Sequence, residues 1–327
     1  MSFRSFLVTG GAGFVGCHLC EALIQLGHQV TVIDDLSTGR WKNIAHLEEN
    51  GGFRGIVADA GDRELIDREV ERHDFVYHLA SAVGVEFIIE HPVETVENIV
   101  GTTEAVFDAC ARYRKPALLT STSEVYGKST TFPFSEENDV LLGPTSKRRW
   151  AYAYGKAMDE FLAFAHAAES GLPVHVVRLF NTVGPRQTGQ YGMVIPSFVT
   201  QALRGEPITV YGDGTQRRCF CHVADVVEAL VELPANEASA GQAVNIGSRE
   251  EVTIRDLAER TKRVCDSDSE IVQIPYEEAY GPGYEDMPRR VPDLSRIKDV
   301  LGWKPTRDLD EILEDVKTYY QHEYDRD

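Results

Sequence analysis

The stretch FRSFLVTGGAGFVGCHLCEALIQLGHQVTVIDD, residues 3–35, predicts a strand, a glycine turn, a helix and a second strand. The apolar residues 6–8 form the first strand of this prediction, and the helix is expected to end near Leu26, where Gly27 suits a C-cap. Residues 30–33 are expected to form the second strand. A strand that returns through a helix to a parallel strand is typical of an open α/β sheet.

Three glycines follow the first strand at GxxGxxG spacing: Gly10, Gly13 and Gly16. Glycine permits a tight turn and lets a pyrophosphate approach backbone N–H groups at the start of a helix. Asp34 stands at the predicted end of the second strand, at the distance where an acidic residue binds the adenosine ribose. A carboxylate there would repel a 2′-phosphate, so the pattern favours NAD over NADP.

The composition narrows the class of protein. A formal net charge of −19 over 327 residues argues against nucleic-acid binding and against attraction to anionic membranes. No apolar run approaches the roughly 18 residues of a membrane span. The first strand begins so early that no signal peptide is expected before it, which predicts a cytoplasmic protein.

The six cysteines fit that compartment, and the CxxC formed by Cys17 and Cys20 is a candidate zinc motif. Both lie on the predicted first helix, on the face expected to pack against the sheet. Buried free thiols therefore explain them better than a metal site, and no metal is predicted.

Strands and helices continue to alternate up to residue 179, which predicts a Rossmann-like, doubly wound parallel sheet. The last third of the chain is rich in glycine and proline and is expected to form a smaller α/β substrate domain. We predict an NAD-binding domain of residues 1–179 plus about 216–247. Residues 180–215 and 248–327 are expected to form the nucleotide-sugar-binding domain.

Tyr152 and Lys156 lie four residues apart in a segment that predicts a helix, so both are expected on one helix face. A nearby ammonium would favour phenolate and lower the pKa of Tyr152 from its ordinary value of about 10. Such a tyrosine could accept the proton of a sugar hydroxyl as a hydride leaves the same carbon. On its own, YxxxK is a weak signal.

Together, several motifs resemble the extended short-chain dehydrogenase/reductase family that modifies nucleotide sugars. They are TGGAGFVG, HLAS, NIVGT, STSEVYG, YAYGK, RLFNTVGPR, YGDGTQRR, NIG and LGWKP, which cover nearly the whole chain. The resemblance implies a tightly held NAD that oxidises a sugar hydroxyl transiently to a ketone. Members then epimerise, dehydrate or decarboxylate the keto sugar.

The resemblance also implies roles for individual residues. It makes Tyr152 the base, Lys156 the residue that orients the nicotinamide ribose and Thr122 the partner of the reacting hydroxyl. Ser123 and Glu124 complete the catalytic set. The implied cofactor contacts are Gly10, Gly13, Phe14, Val15, Gly16, Asp34, Asp59, Leu79, Ala80, Ser81, Asn98, Tyr152 and Lys156. The implied substrate contacts, some of them arginines suited to phosphate or carboxylate, are Asn181, Arg186, Val194, Tyr211, Arg218 and Arg290.

Glu124 discriminates between reactions. Thr122, Ser123 and Glu124 match the Thr-Ser-Glu of UDP-glucuronate decarboxylases, which GDP-mannose 4,6-dehydratases share, whereas simple 4-epimerases usually carry a small residue at this place. Several other segments resemble the decarboxylases, although AVGVEFIIEHP and TGQYGMVIPSF depart from them, and the second is closer to an epimerase loop. The expected reaction is conversion of UDP-glucuronate to UDP-xylose. A UDP-sugar 4-epimerase, a 4,6-dehydratase and a non-catalytic dinucleotide sensor remain as alternatives.

The helices predicted at 94–112 and 152–168 carry more apolar surface than one sheet-facing stripe requires. A second stripe could be formed by Ala105, Ala109, Ala157, Phe161, Phe164 and Ala165. Two such helices from each of two chains would make a four-helix interface, as the resemblance also implies. A homodimer is therefore expected.

Overall fold

The computed structural model describes residues 3–81, 91–189, 193–280 and 287–324. In chain order, its strands are β1 Ser5–Thr9, β2 Gln29–Asp34, β3 Phe53–Val57, β4 Phe75–His78, β5 Ala117–Thr122, β6 Val174–Leu179, β7 Thr182–Val183, β8 Ile208–Tyr211, β9 Arg217–Cys219, β10 Cys221–His222, β11 Gln242–Ile246, β12 Glu251–Thr253, β13 Ile271–Ile274 and β14 Arg289–Arg290. Its α-helices are α1 Phe14–Gln25, α2 Arg63–Arg72, α3 Pro92–Tyr113, α4 Ala151–Ser170, α5 Val194–Arg204, α6 Val223–Glu232, α7 Ile254–Val264, α8 Tyr276–Tyr280, α9 Ser295–Leu301 and α10 Leu309–Tyr324.

Seven strands form one parallel sheet with the order β11-β6-β5-β4-β1-β2-β3. From β1 the chain first winds outward through β2 and β3, then returns to β4 on the other side of β1. The strand order reverses at this point, which leaves a crevice at the carboxyl ends of β1 and β4. The predicted doubly wound Rossmann-like fold is confirmed.

Helices cover both faces of the sheet, because its strands are apolar on both sides. On β1, the side chains of Phe6 and Val8 face one core, which also contains residues of α1, α6 and α9. The side chain of Leu7 faces the other core, with residues of α2, α3 and α4. Successive residues of one strand thus belong to different cores, as the two-residue period of a strand requires.

The long helices extend slightly beyond their predicted bounds, and their packing corrects one expectation. Ala105 and Ala109 are only 4% and 2% exposed, so they are covered within the chain and cannot line a second, outward-facing stripe. Ala109 packs in the core with residues of α2 and α4. Phe161, in contrast, is 74% exposed.

The remaining described strands form three small sheets: β8 with β13, β9 between β12 and β14, and β7 with β10. A third core lies among α5, α7 and α10, with Phe198, Leu257 and Ile312 at its centre. The chain then returns to the large sheet, where Ile297 and Trp303 pack in the same core as α1. No helix among the described residues is long and apolar enough to cross a membrane.

Candidate active site

A cleft of about 790 Å³ opens at the carboxyl ends of the parallel strands and extends to the small sheets. Its size is typical of small-molecule sites. Among the residues that line it are all the candidates named from the sequence except Lys156: Gly10, Gly13, Phe14, Val15, Gly16, Asp34, Asp59, Leu79, Ala80, Ser81, Asn98, Thr122, Ser123, Glu124, Tyr152, Asn181, Arg186, Val194, Tyr211, Arg218 and Arg290. The structure therefore brings residues that are distant in sequence to one place.

The glycine turn is packed so closely that side chains at Gly10 and Gly16 would collide with the backbone. Gly10 has a φ of +72°, and a Cβ there would lie 2.7 Å from the backbone nitrogen of Ala80. A Cβ on Gly16 would overlap the Gly10 carbonyl oxygen. Helix α1 begins after Gly13, whose lack of a side chain leaves the first N–H groups uncapped. This turn fits a pyrophosphate, which those N–H groups can bind.

Asp34 ends β2 beside this turn, as predicted. Its carboxylate accepts hydrogen bonds from the backbone N–H groups of Ala12 and Leu36, both at 2.9 Å. Burial raises the pKa of Asp34, although these N–H groups act against that shift. A carboxylate has further lone pairs, so Asp34 can anchor the turn and still accept bonds from ribose hydroxyls. Nearby, the Ser81 hydroxyl lies at the cleft and has no hydrogen-bond partner among the described residues.

Tyr152 lies in the first turn of α4, close enough to the Thr122 side chain for that hydroxyl to lower the pKa of the phenol. Thr122 also accepts a hydrogen bond from the Glu124 N–H at 3.2 Å, which caps the 3₁₀ turn Ser123–Tyr126. The hydroxyls of Tyr152 and Thr122 are thus neighbours at the cleft. Burial, and then the negative charge of Glu124, raise the pKa of Tyr152.

Lys156 corrects an expectation. Its ammonium donates to Asp159 at 2.7 Å, and the two side chains are 2% and 1% exposed. The pKa of Tyr152 is raised in this structure and not lowered as expected, because burial and then the charges of Glu124 and Asp159 disfavour the phenolate. The Lys156 ammonium is paired with Asp159. The ion pair lies beneath the surface of the cleft.

Glu124 lies between two arginines. Its carboxylate is 2.5 Å from Arg290 and 2.6 Å from Arg149, and all three side chains are largely buried. Burial alone would raise the pKa of Glu124. The charges of Arg290 and Arg149, with a contribution from Arg218, outweigh burial and lower that pKa to about 2. Glu124 is therefore ionised near neutral pH and is no proton donor there.

Sequence reasoning missed Arg149. The signal was the basic run KRR (147–149), which directly precedes a helix N-terminus. Positive charge is unfavourable at that end of a helix, so a buried cation there requires a partner such as Glu124.

The other predicted anion-binding residues have protein partners. Asn181 donates to the Cys219 carbonyl at 2.8 Å, and Arg186 forms a 2.7 Å ion pair with Glu21. Arg218 is buried and donates to the Arg217 carbonyl at 2.9 Å. Their substrate roles remain predictions.

The described residues contain no cluster that could hold a metal ion, and all six cysteines are free. Cys17 and Cys20 are fully buried, as predicted. The large cleft is thus lined by a cradle for a pyrophosphate, a tyrosine with a threonine partner, and a carboxylate held by arginines.

Comparison with known proteins agrees with this geometry. Residues 6–247 match the model of the NAD dependent epimerase/dehydratase family. The chain belongs to this family. It is therefore an NAD-dependent enzyme, and the resemblance inferred from the motifs is confirmed.

Two relatives and one solved structure are similar to this chain over nearly its whole length. The UDP-N-acetyl-alpha-D-glucosaminuronate decarboxylase of Bacillus cytotoxicus is 40% identical over 96% of this chain and 97% of its own length. UDP-glucuronic acid decarboxylase 1 of Danio rerio is 36% identical over 98% of this chain and 73% of its own. The UDP-glucuronic acid 4-epimerase of Bacillus cereus, solved with UDP-glucuronic acid and NAD, superposes with a TM-score of 0.88. It is 28% identical, and the match covers 98% of this chain and all of that one.

Proposed function

We propose that this family member decarboxylates a UDP-uronic acid through a transient 4-keto sugar, with UDP-glucuronate as substrate and UDP-xylose as product. The two curated relatives named above are both decarboxylases of UDP-uronic acids. The observation that carries the proposal is the ionised Glu124, held by Arg149 and Arg290 next to the Tyr152 and Thr122 hydroxyls.

The charges of this cluster suit a substrate carboxylate. One carboxylate and two guanidinium groups leave a net positive charge, and the buried Arg218 adds to it. A uronate can therefore approach in its ionised form, which is the form that loses carbon dioxide. A guanidinium offers paired N–H donors that match a carboxylate and stays charged throughout.

In this proposal Tyr152 accepts the proton of the sugar 4-hydroxyl, and Thr122 orients that hydroxyl. When bound, NAD supplies the hydride acceptor for the same carbon. The resulting 4-ketone is β to the carboxylate, so the C5–C6 bond can break with its electron pair moving into the carbonyl. Carbon dioxide leaves and C5 takes a proton from water. C4 would then regain the hydride and the proton held by Tyr152, so no further reductant is needed. Because Glu124 is ionised, its role is to orient water and the arginines rather than to give the C5 proton.

Two observations favour specific alternatives. The relative from Bacillus cytotoxicus acts on a uronate with an N-acetyl group, so UDP-N-acetylglucosaminuronate is the second candidate substrate. The structural similarity to a UDP-glucuronic acid 4-epimerase supports 4-epimerisation of UDP-glucuronate as the second candidate reaction. A 4,6-dehydratase and a non-catalytic sensor have weaker support.

The decisive experiment incubates the protein with NAD and, separately, with UDP-glucuronate, UDP-N-acetylglucosaminuronate, UDP-glucose and GDP-mannose. Products are identified by mass and NMR, and carbon dioxide is measured in parallel. We expect UDP-xylose and one carbon dioxide per UDP-glucuronate. UDP-galacturonate without carbon dioxide would replace the proposal with 4-epimerisation, and no turnover of any of these sugars would refute it.

We also propose that two chains associate through α3 and α4. Both helices carry large apolar side chains that a monomer leaves in contact with water: Val93, Val96, Tyr154, Met158 and Phe161. An interface would bury this surface, whose burial contributes roughly 25 cal/mol per Å² of apolar area. The two-fold pairing of two helices from each chain makes the predicted four-helix interface.

We also propose the predicted roles of the two domains and the predicted cellular location. The large parallel sheet would bind NAD, and the segments around the small sheets would bind the nucleotide sugar. Six free cysteines, five of them buried, fit a reducing compartment such as the cytoplasm. Fractionation of cells that produce the protein would test the location.

A further inference from the structure

The Lys156–Asp159 pair is isolated from water. Asp159 has no exposed surface, and Lys156 is 2% exposed. One oxygen of the Asp159 carboxylate accepts from the ammonium at 2.7 Å, and the other has no hydrogen-bond partner among the described residues. The nearby Thr103 hydroxyl of α3 acts to lower the pKa of Asp159. Burying two charges is costly, and such a pair persists only when its geometry and hydrogen bonds are good.

A chain of hydrogen bonds beside this pair reaches the first strand. The imidazole of His78 lies 3.0 Å from the Thr103 hydroxyl and 2.8 Å from the Thr9 hydroxyl. Burial, and then the charge of Lys156, lower the pKa of His78 to about 3, so the imidazole is neutral.

The spacing on α4 links the pair to the catalytic tyrosine. Tyr152, Lys156 and Asp159 are at positions i, i+4 and i+7, so they lie on one face of the helix over two turns. The Lys156 ammonium donates to Asp159. The ammonium that could stabilise a Tyr152 phenolate is therefore compensated by a carboxylate on the same face.

We propose that Asp159 is a positioning residue that binds the Lys156 ammonium beneath the cleft and thereby sets the pH range in which Tyr152 can accept a proton. The inference rests on the oxidation step of the proposed function and does not depend on the decarboxylation that follows.

Few charged or polar groups among the described residues act on the face of α4 that carries Tyr152, Lys156 and Asp159. Lys156 and Thr103 contact Asp159, and Glu160, the next residue on α4, acts on it through its charge. Glu124 acts on Tyr152 from the turn after β5, in the same direction as Asp159. Both carboxylates raise the pKa of Tyr152, after burial, which has the larger effect. Removing the charge of Asp159 therefore lowers the pKa of Tyr152, and a released Lys156 ammonium acts in the same direction.

The first test is the pH profile of kcat/KM for Asp159→Asn with NAD and whichever of the four nucleotide sugars is turned over. We expect the ascending limb to move to lower pH by about one unit relative to the native enzyme. The matched control is Glu160→Gln, which removes a buried carboxylate one residue away that pairs with Arg178 at 2.8 Å. The control should lose thermal stability without moving the limb. An unmoved limb in folded Asp159→Asn, or a shift to higher pH, would overturn the proposal.

The second test needs no substrate, so it remains readable if the proposed reaction is wrong. Unfolding midpoints are measured for Asp159→Asn, Lys156→Met and the double variant. Each single change leaves one buried charge without its partner, whereas the double change removes both. The double variant should therefore unfold at a higher temperature than either single variant, even where Asp159→Asn alone does not fold. A double variant whose loss equals the sum of the two single losses would show that Asp159 does not act through Lys156.

Discussion

The Glu124 carboxylate lies 2.5 Å from the Arg290 guanidinium, so the turn after β5 is joined to β14 by a largely buried ion pair. Glu124 follows a central strand of the large sheet, whereas Arg290 belongs to a small sheet with β9 and β12. The cleft between these sheets thus has a charged contact across it. Any change at Glu124 affects both the chemistry of the cleft and the charge balance of two arginines.

The ion pairs of Glu124 should make stability depend on pH in acid. Its pKa is about 2 in the folded protein, against an ordinary value of 4.5. The corresponding stabilisation is complete above about pH 4.5 and is lost as the pH falls towards about 2, with a total of about 3 kcal/mol. Urea unfolding of the native protein and Glu124→Gln across this range should show a free-energy difference that shrinks as the pH falls. A constant difference would contradict the assignment.

Tyr152→Phe should keep the fold and NAD binding, because only one oxygen is removed from a half-buried ring. Turnover should fall by about 10²-fold to 10⁴-fold, the range for loss of a positioned base. The measurement combines single-turnover kinetics with an NAD titration and a thermal melt. Turnover within a few-fold of the parent rate would mean that another group accepts the proton.

Asp34→Ala should weaken NAD binding about tenfold to hundredfold, since hydrogen bonds to a charged group contribute about 1.5 to 3 kcal/mol. The structure adds a second reason, because Asp34 also anchors the N–H groups of Ala12 and Leu36. Asp34→Asn is the matched variant, as its amide oxygen can retain an anchor while the charge is lost. Titrations with NAD and NADP should show a narrower preference for NAD in Asp34→Asn. An unchanged ratio of the NADP and NAD dissociation constants would exclude charge repulsion as the basis of the preference.

The parts of the site that sequence predicted best are local ones. Gly10, Gly16 and Asp34 act through backbone geometry and strand ends, which a short stretch of sequence determines. The partners of Glu124 depend on the tertiary fold, since Arg290 is distant from Glu124 in sequence and lies on a strand of a different sheet. Motif reasoning found Arg290 but assigned it to the substrate alone.

Lys156 shows a different limit. Helical spacing placed it correctly on the face of Tyr152, but the side chain can also reach Asp159 on the same face, and burial favours the pair of opposite charges. The prediction of an outward-facing apolar stripe on α3 was wrong for a similar reason. Spacing alone could not tell that Ala105 and Ala109 face the core rather than a second chain.

Phe161→Glu should weaken or abolish the proposed dimer, because it places a charge in the centre of an apolar interface. Light scattering at micromolar concentration should give the mass of two chains for the native protein and of one chain for the variant. Leu26→Glu is the matched control, since Leu26 is also an exposed apolar residue, 59% exposed, but lies at the end of α1. A native monomer, or equal effects of both substitutions, would refute the interface.

The two leading reactions can be separated with a charge-balanced pair of variants. Glu124→Gln alone leaves Arg149 and Arg290 uncompensated, so it should slow either reaction. Adding Arg149→Met restores the net charge of the cluster while Tyr152 and Thr122 stay in place. For a decarboxylase, the double variant should still oxidise the 4-position but release carbon dioxide about 10²-fold more slowly, since Glu124 and one of the arginines that orient the carboxylate are gone. For a 4-epimerase, the proton and hydride do not pass through Glu124, so the double variant should recover most of the parent rate. Rapid exchange between 4-epimers by this variant, without carbon dioxide from it or from the parent enzyme, would establish the epimerase and reject the decarboxylase.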